Sequence, residues 1–434
     1  MVDVWLPYGK SEVCVRVPTR NFLGLIEPRE ETGVADPVAE VRRALCEPLG
    51  TKRLSEIAKP ESKVAIVVDD AARRATLSDK LLAPLLEELK AAGVKDENVT
   101  VIFACGVHRV VTREEALRLL GEAVFNRVKW VSHDCRAQDL VFVGTTKTFG
   151  NKVFLNRTFA ESDVRILTGD ICLHNYAGYS GGHVSVLPGI AGESTIKHNH
   201  AMLLDARAKA GVLEGNPVYV DMVEASGLAK VDFVLNTVSN TRGEAVRAFA
   251  GDMEQAFVEG VKLVDEMYRI PVDRRADIVV VSAGGYPTDV SLFEACEAVN
   301  NALEIVKRGG VIVLVAECSE GHGNEVFHDW MVRFHDLKTA EREIKRNFVW
   351  GGHKTYYLLH ALQNHTIILV SSMPDYYAAQ IFRLKTARAV NDALNDAFNI
   401  VGRNGRVWAM PLGSFTLPEI RVTEKQAEIA EVAQ

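Results

Sequence analysis

Short runs of apolar, β-branched residues recur along this chain, and each gives way to a polar cluster. "KVAIVVDD" (63–70), "NVTVIFACG" (98–106), "VKWVSHD" (128–134), "DLVFVG" (139–144) and "VRILTGDICLH" (164–174) read as buried strands. Between the first two, "SDKLLAPLLEELKAAG" (78–93) sets Leu81, Leu82, Leu85, Leu86 and Leu89 on one helical face, with Ser78 as the N-cap and Gly93 as the stop. "TREEALRLLG" (112–121) offers a capping box in Thr112 and Glu115. A second series runs through "IVVVSAGG" (278–285), "GGVIVLVAE" (309–317), "TIILVSS" (366–372) and "RVWAMPLG" (406–413), with helical patterns between.

Strand, loop, helix, strand is the grammar of an α/β fold, here two α/β domains with largely parallel sheets and an active-site cleft between them. The charged, Pro-containing stretch "RIPVDRRAD" (269–277) is read as the boundary. It gives an N-terminal domain over 1–271, carrying the chemistry, and a smaller C-terminal domain over 272–434 that closes the substrate cleft. In open α/β sheets, ligands bind beyond the carboxyl ends of the strands. Asp69, Asp70, Arg73, His108, Arg109, His174, Asp289, Glu320 and His322 all fall just after apolar runs, which points to an enzyme.

Composition narrows the partners. At 434 residues the chain is long enough for two or three domains, and 47% apolar with 25% charged residues is ordinary globular usage. A net charge of −7 without a basic block argues against nucleic acid and for a small-molecule partner. No stretch approaches the ~18 continuous apolar residues of a membrane span, and acidic Asp3 stands where a signal peptide carries positive charge. Seven scattered cysteines, odd in number and without a CxxC pair, suit reduced thiols in a cytoplasm.

Several clusters carry candidate chemistry, each with a plainer structural alternative. His108 and His174 taken singly fit hydrogen-bonded structural histidines. On parallel strand ends of one sheet, the pair can instead act as two acid/base groups on opposite sides of a substrate, as inversion of a stereocentre requires. "AGYSGG" (177–182) resembles a phosphate-cradling loop with uncovered backbone N–H groups, or else a tight turn that needs glycine geometry. "STIKHNH" (194–200) holds His198 and His200, which reach one metal if extended and diverge if helical. In "DDAARR" (69–74) the carboxylates suit Mg²⁺, or they orient a basic group while Arg73 or Arg74 grips an anion, or the run is a solvated charged face.

Taken together, these motifs resemble the nickel-dependent lactate racemases and their 2-hydroxyacid racemase and epimerase relatives. The resemblance covers nearly the whole chain: "LPYG" (6–9), "DDAAR" (69–73), "GVHR" (106–109), "HD" (133–134), "HNYAGYSGG" (174–182), "PGIAGESTIKHNH" (188–200), "GGYPTD" (284–289), "AECSEGHG" (316–323) and "GGHK" (351–354). It implies a nickel pincer nucleotide as cofactor, His108 and His174 as the catalytic acid/base pair, and His200 as a nickel ligand. The implied mechanism moves the C2 hydride of a 2-hydroxy acid to the cofactor and returns it to the other face, with the histidines handling the hydroxyl proton. Asp69, Asp70, Arg73, Ala177, Gly178, Tyr179, Ser180, Gly181, Gly182 and His183 are the implied cofactor side. Arg73 is also assigned to the substrate carboxylate, with Asp70 positioning either a histidine or Arg73.

Two departures from the family pattern shape the expectation. Where members with a tethered cofactor carry lysine, this chain has Val184, so the nucleotide is expected to be held non-covalently, with His183 as a candidate holder. The lactate enzymes have Tyr-Gln followed three residues later by Lys, and here Phe293, Glu294 and Glu297 occupy those places. An anion replacing a cation reverses the local field. A substrate other than lactate is therefore expected on the face formed by Phe293, Glu294, Glu297 and Trp350. Two alternatives stand beside this reading: a zinc hydrolase built on His174, His198 and His200, and a non-catalytic nickel-nucleotide binding protein or carrier.

Overall fold

The computed structural model describes residues 1–71 and 77–421. The chain forms two α/β units, one from Glu30–Glu266 and one that joins Met1–Arg29 to the chain from Met267 onward. All seven cysteines are free thiols. Among the described residues, no helix is long and apolar enough to cross a membrane.

The sheet of the Glu30–Glu266 unit has six strands in the order Ala245–Gly251, Phe233–Ser239, Val164–Asp170, Val64–Asp69, Val99–Ala104, Lys129–Ser132. Every neighbouring pair is parallel except the first, where Ala245–Gly251 runs antiparallel. Val64 through Val68 are all buried, the uninterrupted apolar run of a strand covered on both faces. Helix Ser78–Ala91 lays Leu81, Leu82, Leu85, Leu86 and Leu89 into this core. Its stop at Gly93 holds, with φ +84° and the Gly93 and Val94 amides bonded back to Lys90 and Leu89. Ser78 is not the cap, however; Leu77 takes that position without a side-chain bond, and Ser78 is the first, buried, helical residue. Both bonds of the Thr112–Glu115 capping box are present. Val141–Thr145 departs from the buried-strand expectation by leaving the main sheet for a half-exposed hairpin with Lys152–Leu155.

The second sheet is wholly parallel, in the order Lys385–Ala387, Thr366–Val370, Val306–Val315, Ala276–Ser282, Val407–Met410, Phe22–Leu25. The expected N-terminal domain over 1–271 therefore differs from the structure at its start. Phe22–Leu25 supplies the edge strand of the second sheet, and the hairpin Val2–Tyr8 with Ser11–Val17 buries Val4, Leu6, Val15 and Val17 in that unit's core. Pairing across so much sequence leaves no local mark.

Candidate active site

The carboxyl ends of three adjacent strands in the Glu30–Glu266 unit bring the first candidates together. Asp69 ends Val64–Asp69 opposite Ala104, and Asp70 follows it, 3% exposed. Across one strand interval, His108 leaves Val99–Ala104 through a turn in which Gly106 has φ +50° and the His108 amide bonds to the Cys105 carbonyl. His108 Nδ1 lies 2.8 Å from Asp70 Oδ2. An ionised carboxylate only accepts, so Nδ1 carries the proton and Nε2 of the neutral ring is the acceptor.

His174 sits beyond Val164–Asp170, on the other side of the central strand, in a short antiparallel pairing of Leu173–His174 with Gly178–Tyr179. Its parent strand and that of His108 are two sheet intervals apart, roughly 10 Å. Here the polarity is reversed: Nδ1 accepts the amides of Ala177 at 3.2 Å and Tyr176 at 3.5 Å. The proton of the neutral ring therefore belongs on Nε2. The two histidines, each pinned at Nδ1, present nitrogens of opposite hydrogen-bonding sense.

Tyr176 links this group to His200, with ring centroids 4.5 Å from His174 and 5.2 Å from His200. His200 is buried in helix Glu193–Ala201, and burial, reinforced by nearby His174, drives its pKa down to about 3, so the ring is neutral. Its Nδ1 lies 2.9 Å from Asn199 Oδ1. His198 faces the other way, exposed, with Nε2 3.1 Å from the Phe149 carbonyl. Helical geometry thus separates the i, i+2 pair and removes the three-histidine zinc site, and among the described residues no group of three His, Cys, Asp or Glu side chains is placed to hold a metal. A metal held by one protein histidine needs no such group.

The glycine-rich loop is closed at most of its amides; among the described residues, those of Gly181 and His183 have no acceptor. Ala177 through His183 are buried, and the amides of Ser180, Gly182, Val184 and Ser185 all have acceptors within the chain. Gly178, Gly181 and Gly182 have φ of +84°, +83° and +48°, and a Cβ at Gly178 would collide with the Val212 carbonyl. The Tyr179 hydroxyl donates to Asp265, and Ser180 Oγ to the Asp170 carbonyl. The tight-turn alternative accounts for these glycines.

Beside the loop, buried polar atoms do lack partners. Both ring nitrogens of His183 and Nδ2 of Asn236 are buried without a hydrogen bond. Tyr219 and Phe257 flank His183 edge-on at 5.4 Å, and burial lowers its pKa to about 4. Such orphans fit a polar group bound near Gly182, whose own amide bonds to Asn236 Oδ1. The neutral His200 imidazole has the donor chemistry that nickel takes, and the orphaned His183 and Asn236 atoms suit the polar groups of a nucleotide. Val184 is buried and offers no nitrogen for a covalent link. Arg73 lies outside the described residues.

Other sequence candidates are committed to structure. Arg109 is bonded bidentately to Glu115 of the capping box, at 2.8 and 2.6 Å. His133 is wholly buried with Nε2 2.9 Å from the Ala191 carbonyl.

In the other unit, Ser291 caps helix Leu292–Leu303, whose first two turns carry Phe293, Glu294 and Glu297. The Phe293 ring is 5.3 Å from that of Trp350. Glu297 does not reverse the local field as its sequence position suggests. Lys354, with a side chain only 4% exposed, places Nζ 3.4 Å from Glu297 Oε1 and 5.3 Å over the Phe293 ring. The sequence reading missed Lys354 as a partner, since "GGHK" lies far from Glu297 along the chain. Asp289, another strand-end candidate, accepts the amides of Gly9 at 2.6 Å and Glu317 at 3.1 Å and so ties three motif loops together.

Comparison with known proteins adds the family. Residues 8–211 match the lactate racemase N-terminal domain, and residues 272–415 match the lactate racemase C-terminal domain. A lactate racemase of Thermoanaerobacterium thermosaccharolyticum is 31% identical over 425 residues, 95% of this chain and 98% of that protein. One from Lactiplantibacillus plantarum is 29% identical over 423 residues, 95% and 99% of the two chains. The solved lactate racemase apoprotein of Thermoanaerobacterium thermosaccharolyticum matches with a TM-score of 0.90 at 30% identity, over 96% of this chain and all of that one. A Thermotoga maritima protein shares the fold alone, with a TM-score of 0.65 at 18% identity over 90% of this chain and all of that one.

Proposed function

This chain belongs to the lactate racemase family, and from that premise we propose that it inverts C2 of a 2-hydroxy acid in the cytoplasm, with a non-covalently held nickel pincer nucleotide. The observation that carries the reading is the opposite pinning of two histidines at strand ends of one sheet. Nε2 of His108 receives the proton of the substrate hydroxyl, and Asp70 stabilises the imidazolium that forms. In its imidazolium form His174 would return a proton from Nε2 to the substrate oxygen when C2 is rebuilt from its other face, a form that requires Nδ1 to gain a proton and turn from the Ala177 and Tyr176 amides. With that Nδ1 proton kept, the neutral ring accepts at Nε2, so for the opposite enantiomer the two rings exchange roles.

His200 is the residue that would hold nickel, and His183 and Asn236 would meet polar groups of the nucleotide. When bound, the nucleotide supplies the electron-poor centre for the C2 hydrogen and its electron pair. Arg73 is assigned to the substrate carboxylate from the family resemblance. Phe293, Trp350 and the Glu297–Lys354 pair form a mixed apolar and ionic surface, better matched to a substrate bearing a second polar group than to lactate.

The test is chiral analysis of single stereoisomers of lactate, malate, phenyllactate, 2-hydroxyglutarate and gluconate after incubation with nucleotide-loaded protein. Inversion of one of them is expected. His108→Ala and His174→Ala should each cut turnover by about 10²–10⁴-fold while still binding the nucleotide. Bound nucleotide with no inversion across the panel would favour the carrier reading.

A further inference from the structure

Behind His200 lies a buried carboxylate that has no cation beside it among the described residues. Asp221 is 0% exposed in helix Pro217–Ala229, and its partners are neutral: Thr146 Oγ1 donates to Oδ1 at 2.8 Å, and the amide nitrogens of Asn151 and Asn199 donate to Oδ2 at 2.9 Å each. Removing a carboxylate from water without a counter-charge is costly, so an aspartate where an asparagine would fit calls for a reason. Asn199 supplies one. Its Nδ2 faces two groups that can only accept, Asp221 Oδ2 and the Val218 carbonyl at 3.0 Å. Turning the amide over would set its oxygen against both, so the orientation is fixed. Oδ1 must then face His200, and His200 Nδ1 at 2.9 Å must be the protonated nitrogen.

We propose that Asn199 and Asp221 are positioning residues that lock His200 in the tautomer protonated at Nδ1, so that Nε2 is the nitrogen turned to metal. The metal half of this rests on His200 being the nickel ligand; the tautomer half does not. Asparagine at 221 could donate as well as accept, which leaves the Val218 carbonyl to oppose turning Asn199 over without the carboxylate, so the lock on the His200 proton weakens. Outer-shell partners of this kind are worth about 10–100-fold in metal affinity.

The experiment is nitrogen NMR of the apoprotein labelled at histidine, with the His200 signals assigned by their loss in His200→Gln. Wild type should show a pyrrole-type Nδ1 and a pyridine-type Nε2. The reverse pattern in wild type overturns the proposal without any variant. Asp221→Asn should admit a measurable share of the Nε2-protonated tautomer against the remaining Val218 carbonyl, and weaken binding of the nickel pincer nucleotide by about tenfold. Thr146→Val removes a bond to the same carboxylate but leaves both acceptors in front of Asn199, so it should keep the wild-type tautomer. A single unchanged tautomer in Asp221→Asn, or an equal effect of Thr146→Val, overturns the relay. Wild-type affinity for the nickel nucleotide in His200→Gln would instead overturn the ligand assignment, and the tautomer pattern would still judge the relay by itself.

Discussion

In the unit Glu30–Glu266, the polar partners beyond the strands hold imidazole rings: Asp70 accepts a hydrogen bond from Nδ1–H of His108, and the Ala177 amide donates to Nδ1 of His174. In the unit built from Met1–Arg29 and the chain from Met267 onward, polar residues hold backbone and each other. Asp289 takes the amides of Gly9 and Glu317, and, on helices Gly352–Asn364 and Leu292–Leu303, Lys354 meets Glu297. Asp70, His108, His174 and Asp289 all follow apolar runs in the sequence. A polar residue after a strand marks a place where exposed backbone and loops need partners, and only the partner distinguishes chemistry from scaffolding.

The sharpest way to break that contrast is to exchange its outcomes. Asp289→Ala leaves two backbone amides without acceptors, at roughly 1–3 kcal/mol each. About 3 kcal/mol of stability should be lost in urea denaturation, whereas His108→Ala, removing a partly exposed ring, should change stability far less. Equal destabilisation by both would erase the distinction.

A second effect of similar or smaller size concerns the buried neutral histidines. His183 has a folded-state pKa of about 4, and His133 is also lowered, in both cases by burial. Above pH 6.5 these rings are neutral in folded and unfolded chains alike. As pH falls below about 6.5, the unfolded chain takes up protons that the fold excludes, so stability drops until His183 itself titrates near pH 4. The His183 part is about 3 kcal/mol. His183→Leu should flatten this acid limb and raise apoprotein stability at pH 7, by about 1–2 kcal/mol, while weakening nucleotide binding. An unchanged acid slope in that variant would remove His183 from the account.

The smallest effect is expected next door to His108. Arg109→Ala breaks a pair that serves the helix Arg113–Leu120, and turnover on whichever substrate is inverted should stay within about twofold. A His108-sized loss would move Arg109 into the site.

What could be read in advance was local. The leucines of Ser78–Ala91 and the bonds of Thr112 and Glu115 follow from spacing within a few residues. His108, His174 and His200 were legible as candidates because strand ends and family motifs coincide, but their tautomers were not. Those depend on Asp70 and Asn199, and Asn199 depends in turn on Asp221. Likewise Lys354 changes the meaning of Glu297 from 57 residues away. Gly178 misled for another reason: a glycine that makes room for the Val212 carbonyl looks, in sequence, like one that makes room for a phosphate.

A ribosome produces Phe22–Leu25 long before Val407–Met410, the strand it pairs with, exists. At roughly 5–20 residues per second the delay is on the order of 20–80 s. Throughout it, the hairpin Val2–Tyr8 with Ser11–Val17 has none of the later strands over its apolar side chains. The continuous stretch Glu30–Glu266 has all its own strands by then and can close its core first. Phe22–Leu25 and the hairpin before it therefore wait for their partner strands while the core of Glu30–Glu266 can already close.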